Sequence, residues 1–75
     1  MIRELDSVVL TRDFQEYGLA AGDVGAVVHC YANGPAYEVE FVAGSDHTVA
    51  LITATANDIR QIQAREIMHV RALAA

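Results

Sequence analysis

The clearest pattern in the chain is an alternation of apolar and charged side chains over a five-residue stretch near its middle. Tyr37, Val39 and Phe41 point to one side of an extended chain, and Glu38 and Glu40 point to the other. A period of two with apolar against charged residues is typical of a β-strand with one buried and one solvated face. The alternation therefore predicts a strand whose apolar side faces the core.

A second strand is predicted immediately before this one. Residues 24–31 are rich in β-branched and aromatic side chains, which suit a pleated and half-buried surface. Asn33, Gly34 and Pro35 follow, and they favour a connection of about four or five residues, because Asn and Gly tolerate positive φ and proline donates no hydrogen bond. Gly25 indicates a bulge in the strand or a close approach of another backbone.

Two more strands carry apolar side chains on both faces. Residues 5–11 have valine or leucine at even and at odd positions, and residues 47–53 have Val49 and Leu51 on one face and Ala50 and Ile52 on the other. Such a strand is either covered on both sides or placed at an interface, and the sequence leaves both interpretations open.

The end of the chain changes period. Asn57 is a good helix N-cap, and the apolar residues after it are three apart, so residues 57–62 are predicted to form a 3₁₀ turn or a short α-helix. Residues 67–73 form the last predicted strand, with Met68 and Val70 facing inward. Five strands at short spacing predict one all-β domain over residues 1–75, either a small antiparallel barrel or a two-sheet sandwich.

The central stretch also resembles a known family. The string GDVGAVVH at residues 22–29, followed by YEVEF at residues 37–41, is similar to a small bacterial domain family of unknown function, DUF4926. Residues 6–11, the loop at Gly18 and the tail at residues 65–71 extend the resemblance over nearly the whole chain.

More loosely, the Gly-Asp-x-Gly-x-Val run and the Tyr-x-Val-x-Phe strand resemble SH3-like barrels. These include the KOW modules of ribosomal and transcription proteins and the carboxy-terminal barrel of the nitrile hydratase β subunit. The resemblance implies a five-stranded SH3-like barrel with one short helical or 3₁₀ turn before the last strand. It implies no activity and no catalytic residues.

Size and composition limit the possible functions. A chain of 75 residues buries only about 60% of its unfolded surface, so its core is small. Yet 53% of its residues are hydrophobic, and no apolar run approaches the roughly 20 residues of a membrane span. We therefore expect self-association or a protein partner, no membrane segment and no signal peptide.

The single cysteine, Cys30, is expected to be a buried thiol in the reducing cytoplasm.

Charge argues against nucleic acid as a partner. The formal net charge is −5, and the chain has no lysine. Proteins that bind nucleic acids neutralise phosphates with clustered lysine and arginine, whereas the arginines here are scattered among twice as many carboxylates. The composition fits a soluble protein or one that binds a basic protein.

The residues that carry out chemistry do not form a recognisable motif. His29 and Cys30 are adjacent on a strand, so their side chains point to opposite faces and cannot share a metal ion. Ser7 and Ser45 lack the context of a nucleophile elbow, and no glycine-rich phosphate loop is present. We expect no enzyme activity, no cofactor and no metal site.

Four residues of the long connection after the first strand are candidates for binding a protein: Phe14, Glu16, Tyr17 and Leu19. On one interpretation, the three apolar residues fold back and close one end of the barrel, because a small domain needs every apolar side chain for its core. On the other, they form an aromatic patch beside the acidic residues of the loop.

Val9 and Val49 are the candidates for a self-association surface. Each lies on a strand that is apolar on both faces, so a symmetric dimer in which the outer faces meet would cover them. The alternative is a monomer in which the long loop covers these faces.

Two functions follow as hypotheses. The first is a non-catalytic interaction or assembly module, and the second is an acidic inhibitor or antitoxin-like protein that neutralises a basic partner such as a nuclease. A nucleic-acid binder of the KOW type is a weaker third hypothesis, because of the charge.

Overall fold

Five antiparallel strands form a single sheet. A computed structural model describes residues 2–32, 34 and 36–73. The elements are β1 (Ser7–Leu10), a 3₁₀ turn (Gln15–Tyr17), β2 (Val24–Cys30), β3 (Ala36–Val42), β4 (Thr48–Thr55) and β5 (Ile59–Gln61). The strand order is β4-β3-β2-β1-β5, so the first and last strands are neighbours and β4 and β5 form the edges. The prediction of a five-stranded all-β domain is confirmed, and the order is compatible with an SH3-like barrel.

The alternation in β3 has the predicted consequence. Val39 is completely buried and Phe41 is nearly so, while Tyr37 packs partly against the same core. On the opposite face, Glu38 and Glu40 accept hydrogen bonds from threonine hydroxyl groups of β4. β3 is paired along its whole length, with β2 on one side and β4 on the other, so the buried face of the sheet is built around it.

The core consists of side chains from all five strands and from the loop after β1. Its members are Val8, Leu10, Phe14, Leu19, Val27, Val39, Phe41, Ala50, Ile52, Ala54 and Ile59. Val8, Val27, Val39 and Ala54 have no measurable exposure.

Gly25 is a point of close approach. A Cβ atom at this position would lie 2.8 Å from the ring of Phe41, 2.8 Å from a methyl group of Val39 and 2.9 Å from the carbonyl oxygen of Glu40. The bulge in β2 lies further along, where the register shifts between Val27 and His29. Of the two interpretations of Gly25, close approach is therefore the one that the structure shows.

The prediction of the last strand at residues 67–73 is wrong, because the strand lies earlier in the sequence. β5 begins at Ile59 and pairs with β1, whereas residues 67–73 belong to no strand. A tight turn explains the difference: the Asp58 N–H donates to the Thr55 carbonyl, and the Asp58 carboxylate accepts from the Thr55 N–H and hydroxyl. This turn directs Ile59 into the core at once, so the apolar positions after Asn57 continue a strand pairing instead of starting a helix.

Two further predictions for this end of the chain are also wrong. The 3₁₀ turn of the described chain is in the loop after β1 and not at residues 57–62. Met68 and Val70, predicted to face inward, are 60% and 97% exposed.

No helix in the described ranges is long and apolar enough to cross a membrane.

Candidate functional site

Phe14 and Leu19 of the predicted binding loop belong to the core. Their backbones pair through two hydrogen bonds, from the Phe14 N–H to Leu19 O (2.9 Å) and from the Leu19 N–H to Phe14 O (3.1 Å). The guanidinium carbon of Arg12 lies 3.9 Å from the centre of the Phe14 ring, a cation–π contact. These two residues fold back, as one of the two interpretations predicts, and they offer no exposed patch.

The other two loop candidates remain at the surface. Glu16 and Tyr17 lie in the 3₁₀ turn, and Tyr17 is 46% exposed. The turn ends at Gly18, whose φ of 70° is readily adopted by glycine. The loop therefore presents one acidic and one aromatic side chain, and not an aromatic cluster.

Val9 and Val49 are covered differently from what we expected. Val9 is only 7% exposed, and five residues from the tail that follows β5, residues 62–73, line the same pocket on that side of the sheet: Ile62, Glu66, Ile67, Met68 and His69. Val49 is half-buried and packs against the core. The outer face of Val9 is thus not a free self-association surface, because the chain itself covers most of this side chain.

The exposed strand surface lies instead along β4. This strand has eight residues, forms one edge of the sheet, and contains no charged residue and no proline. Leu51 of β4 and Val42 of the neighbouring strand β3, on the sheet's outer side, are 53% and 51% exposed. β4 thus combines an open backbone edge with apolar side chains.

A second candidate site is centred on a buried carboxylate, that of Asp23. Asp23 is 8% exposed and is the one buried polar residue of the described chain. Its Oδ2 accepts a hydrogen bond from the Ala20 N–H at 2.9 Å, and the Asp23 N–H donates to Ala20 O at 3.0 Å, so the turn before β2 fixes the carboxylate. Gly22, with φ of 95°, allows this tight turn.

Two side chains from the tail bind this carboxylate. Arg71 contacts both oxygens, with Nε–Oδ1 at 2.8 Å and Nη2–Oδ2 at 2.6 Å, and His69 Nε2 lies 3.1 Å from Oδ1. Arg71 Nη2 also donates to Gly18 O at 2.9 Å. We call the contacts of Asp23, His69 and Arg71 the Asp23 clamp.

The contacts of the clamp shift the pKa values of both Asp23 and Arg71 in the direction that favours their charged forms. The hydrogen bond from Arg71 is the main cause that lowers the pKa of Asp23 from 3.8 to about 2, opposed by burial and helped by the Ala20 N–H and by His69. The same contact raises the pKa of Arg71. A two-pronged arginine–carboxylate pair fixes geometry as well as charge, so Asp23 holds the tail in one orientation.

Beside the clamp lies an open groove with a cavity volume of about 260 Å³. Leu19, Phe41 and Val49 contribute its apolar lining, and the residues of the clamp contribute its polar side. Among the described residues, no group of three or more His, Cys, Asp or Glu side chains is arranged to hold a metal ion.

Sequence reasoning missed the clamp. No local pattern marks Asp23 as a site, because its two side-chain partners lie 46 and 48 residues further along the chain. One signal was available: His69 and Arg71 are two apart, so they share a face of an extended chain, and Met68 and Val70 share the opposite face. The tail therefore directs His69 and Arg71 toward the sheet and leaves Val70 97% exposed.

Comparison with known proteins gives a family and no activity. The model of the family described as a domain of unknown function (DUF4926) matches residues 4–61, which contain all five strands and end before the tail. No curated protein and no solved structure matches the chain.

Proposed function

The chain belongs to the DUF4926 family, and we propose that it is a non-catalytic protein-interaction module that assembles through the free edge of β4. The observation that carries this proposal is the eight-residue edge strand itself. An edge strand presents a row of N–H and C=O groups that can pair with another chain.

Protein sheets usually protect such an edge with lysine, proline or a bulge that twists it away. Over residues 50–55, β4 has neither charge nor proline, and its register with β3 is regular; the one register shift lies at the start of the strand, between the pairs Phe41–Ala50 and Val42–Thr48. These six residues extend over about 20 Å at roughly 3.4 Å per residue, which is enough for a continuous backbone ladder with a partner.

The partner that the composition favours is a second copy of the chain. Two-fold pairing is the commonest closed arrangement, and it would place β4 antiparallel to the β4 of the other copy. Leu51 is near the middle of the strand, so the two Leu51 side chains would meet close to the axis on the outer face. Their contact would remove from water a leucine that is 53% exposed in the single chain.

Sedimentation equilibrium of a Leu51→Lys variant tests this proposal. The wild-type protein is expected to approach the mass of two 8.1 kDa chains as concentration rises, and Leu51→Lys is expected to stay at one. The side chain is exposed, so the substitution should leave the fold intact. Leu5→Lys is the matched control, because Leu5 is 85% exposed and precedes β1, which lies three strands away from β4.

A wild-type protein that sediments as one chain at every concentration would refute self-association through β4. Equal dimerisation of wild type and Leu51→Lys would also refute it. If Leu5→Lys dissociates the dimer as well as Leu51→Lys does, the effect of lysine is one of charge and not of the β4 edge.

The second candidate function is inhibition of a basic protein, and the ion pairs favour it specifically. Arg12, Arg60 and Arg71 pair with Asp58, Glu66 and Asp23. Three of the five arginines are therefore neutralised within the chain, and the remaining surface is predominantly acidic. Titration with a small basic protein at low and at high salt separates this function from the first, because only a charge-driven complex dissociates on addition of salt.

A further inference from the structure

We propose that the groove beside the Asp23 clamp binds a small, neutral ligand with a branched aliphatic body and a secondary amide group. The groove lies between the sheet and the tail, and its cavity volume is about 260 Å³. This is slightly less than the roughly 300–1,000 Å³ of pockets that hold drug-sized ligands, so the occupant is a small molecule. The proposal concerns no protein partner and is independent of assembly through β4.

Apolar side chains from both walls determine the body of the ligand. Leu19 and Phe41, which belong to the core, and the half-buried Val49 line the side of the sheet. Leu73 lines the side of the tail and is 46% exposed. A branched aliphatic group between these walls would remove apolar surface from water, which favours binding.

The carboxylate of Asp23 has no acceptor capacity left for a ligand. Its Oδ1 accepts from Arg71 Nε and from His69 Nε2, and its Oδ2 accepts from the Ala20 N–H and from Arg71 Nη2. An ionised carboxylate has about four lone-pair sites, so these four contacts use them all. The ligand therefore needs no positive charge, because the one buried carboxylate of the described chain is already satisfied.

Arg71 supplies hydrogen-bond donors to the groove. A guanidinium has five N–H groups. The Nε of Arg71 donates to Asp23, and Nη2 donates to Asp23 and to Gly18 O. Within the part of the chain that the structure describes, no group accepts a hydrogen bond from Nη1, and the side chain is 32% exposed. The two N–H groups of Nη1 thus favour a ligand with a carbonyl oxygen.

His69 supplies the complementary acceptor. The ionised carboxylate of Asp23 can only accept, so the Nε2 atom that contacts it at 3.1 Å carries a proton. In the neutral imidazole the other nitrogen, Nδ1, is then an acceptor. The ring lies over Gly22, where a Cβ atom would be 3.8 Å from its Cε1 atom. A carbonyl oxygen for Arg71 and an N–H for His69 are the two groups of a secondary amide.

Charge excludes a carboxylate ligand in this place. Asp23 and, to a smaller extent, Asp13 raise the pKa of Arg71, so two carboxylates already surround the guanidinium. The chain as a whole has a formal net charge of −5. A further anion would be repelled by these groups, whereas a neutral amide would not.

The test is a titration of the full-length protein followed by amide proton–nitrogen correlation spectra. The probes are N-isobutylacetamide, the ester isobutyl acetate, which lacks the N–H, and the anion isovalerate. We expect saturable shifts at groove residues such as Gly44 and Val49, with a millimolar dissociation constant for so small a ligand. The amide should bind about three-fold or more tightly than the ester, and isovalerate should bind more weakly than both.

A groove-filling variant locates the site. Val49→Phe is expected to abolish the shifts caused by the amide, and Val28→Phe is the matched control, because Val28 is 42% exposed and does not line the groove. The proposal is wrong if the amide causes no saturable shift at millimolar concentration, if the shifts map away from the groove, or if Val28→Phe abolishes them too. Equal binding of the ester, or tighter binding of isovalerate, would also overturn it. The comparison of the three probes uses the wild-type protein, so it does not depend on the folding of a variant.

Discussion

Gly25→Ala tests the packing of the central strands directly. In most strands this substitution stabilises a protein by roughly 0.5–1 kcal/mol, because alanine has less freedom to lose on folding. Here the added Cβ would lie 2.8 Å from the Phe41 ring and 2.9 Å from the carbonyl oxygen of Glu40. A ring in the core and a backbone oxygen in a paired strand cannot move independently of the sheet, so the sign of the effect should be reversed.

The size of the effect follows from overpacking. Inserting one methyl group into a well-packed core costs about 1–3 kcal/mol. The whole domain, at 75 residues, is expected to be stable by only about 4–11 kcal/mol. For a domain of this size, each kcal/mol changes Tm by about 4–8 °C, so we expect Tm to fall by about 4–24 °C.

Urea unfolding followed by far-ultraviolet circular dichroism measures the change in free energy of unfolding. Gly44→Ala is the matched control, because no atom lies within 4 Å of a Cβ built there and its φ does not require glycine. The control should be neutral or slightly more stable than wild type. The close-approach argument is refuted if Gly25→Ala unfolds at the same urea concentration as Gly44→Ala, or at a higher one.

Two further predictions concern charge. The pKa of Asp23 is about 2 in the folded protein, below its ordinary 3.8, so its stabilisation is present above about pH 4 and is lost as pH falls toward 2. The difference in free energy of unfolding between wild type and Asp23→Asn should therefore be on the order of 1–2 kcal/mol at pH 7 and should shrink over that range; a constant difference would contradict the role given to Arg71. Gel-shift assays with DNA or RNA should show no complex at physiological salt, because the net charge is −5, and a shift at sub-micromolar protein that weakens with salt would disprove this.

The hairpin of β2 and β3 shows how much local pattern can establish. Tyr37, Val39 and Phe41 face the core because a period of two puts them on one side, and burial then selects that side. The close approach at Gly25 was also one of the two features that the sequence indicated, because glycine weakens a strand interior and is typical of places where another backbone comes near. These features depend on neighbouring residues or on one partner strand.

The last strand shows where the same method fails. Residues 67–73 alternate apolar and polar side chains as a strand does, whereas residues 59–61 contain one apolar residue, Ile59; it is nevertheless the earlier segment that pairs with β1. Ile59 gains that position because the turn at Asp58 places it against Leu10, where it is 3% exposed. The choice depends on which segment fits the space left by the other strands, and no local pattern carries that information.

The sequence by itself determined an acidic, all-β domain of five strands, since strand period, turn residues and charge are properties of short stretches. Tertiary structure alone decided that Phe14 and Leu19 enter the core, that Val9 is covered by the tail, and that β4 is the long open edge. It also brought Arg71 to Asp23, across 48 residues of sequence. The physical reason is that a carboxylate, an arginine or an apolar side chain has the same chemistry in any sequence position, and the packing of the sheet determines which partner it meets.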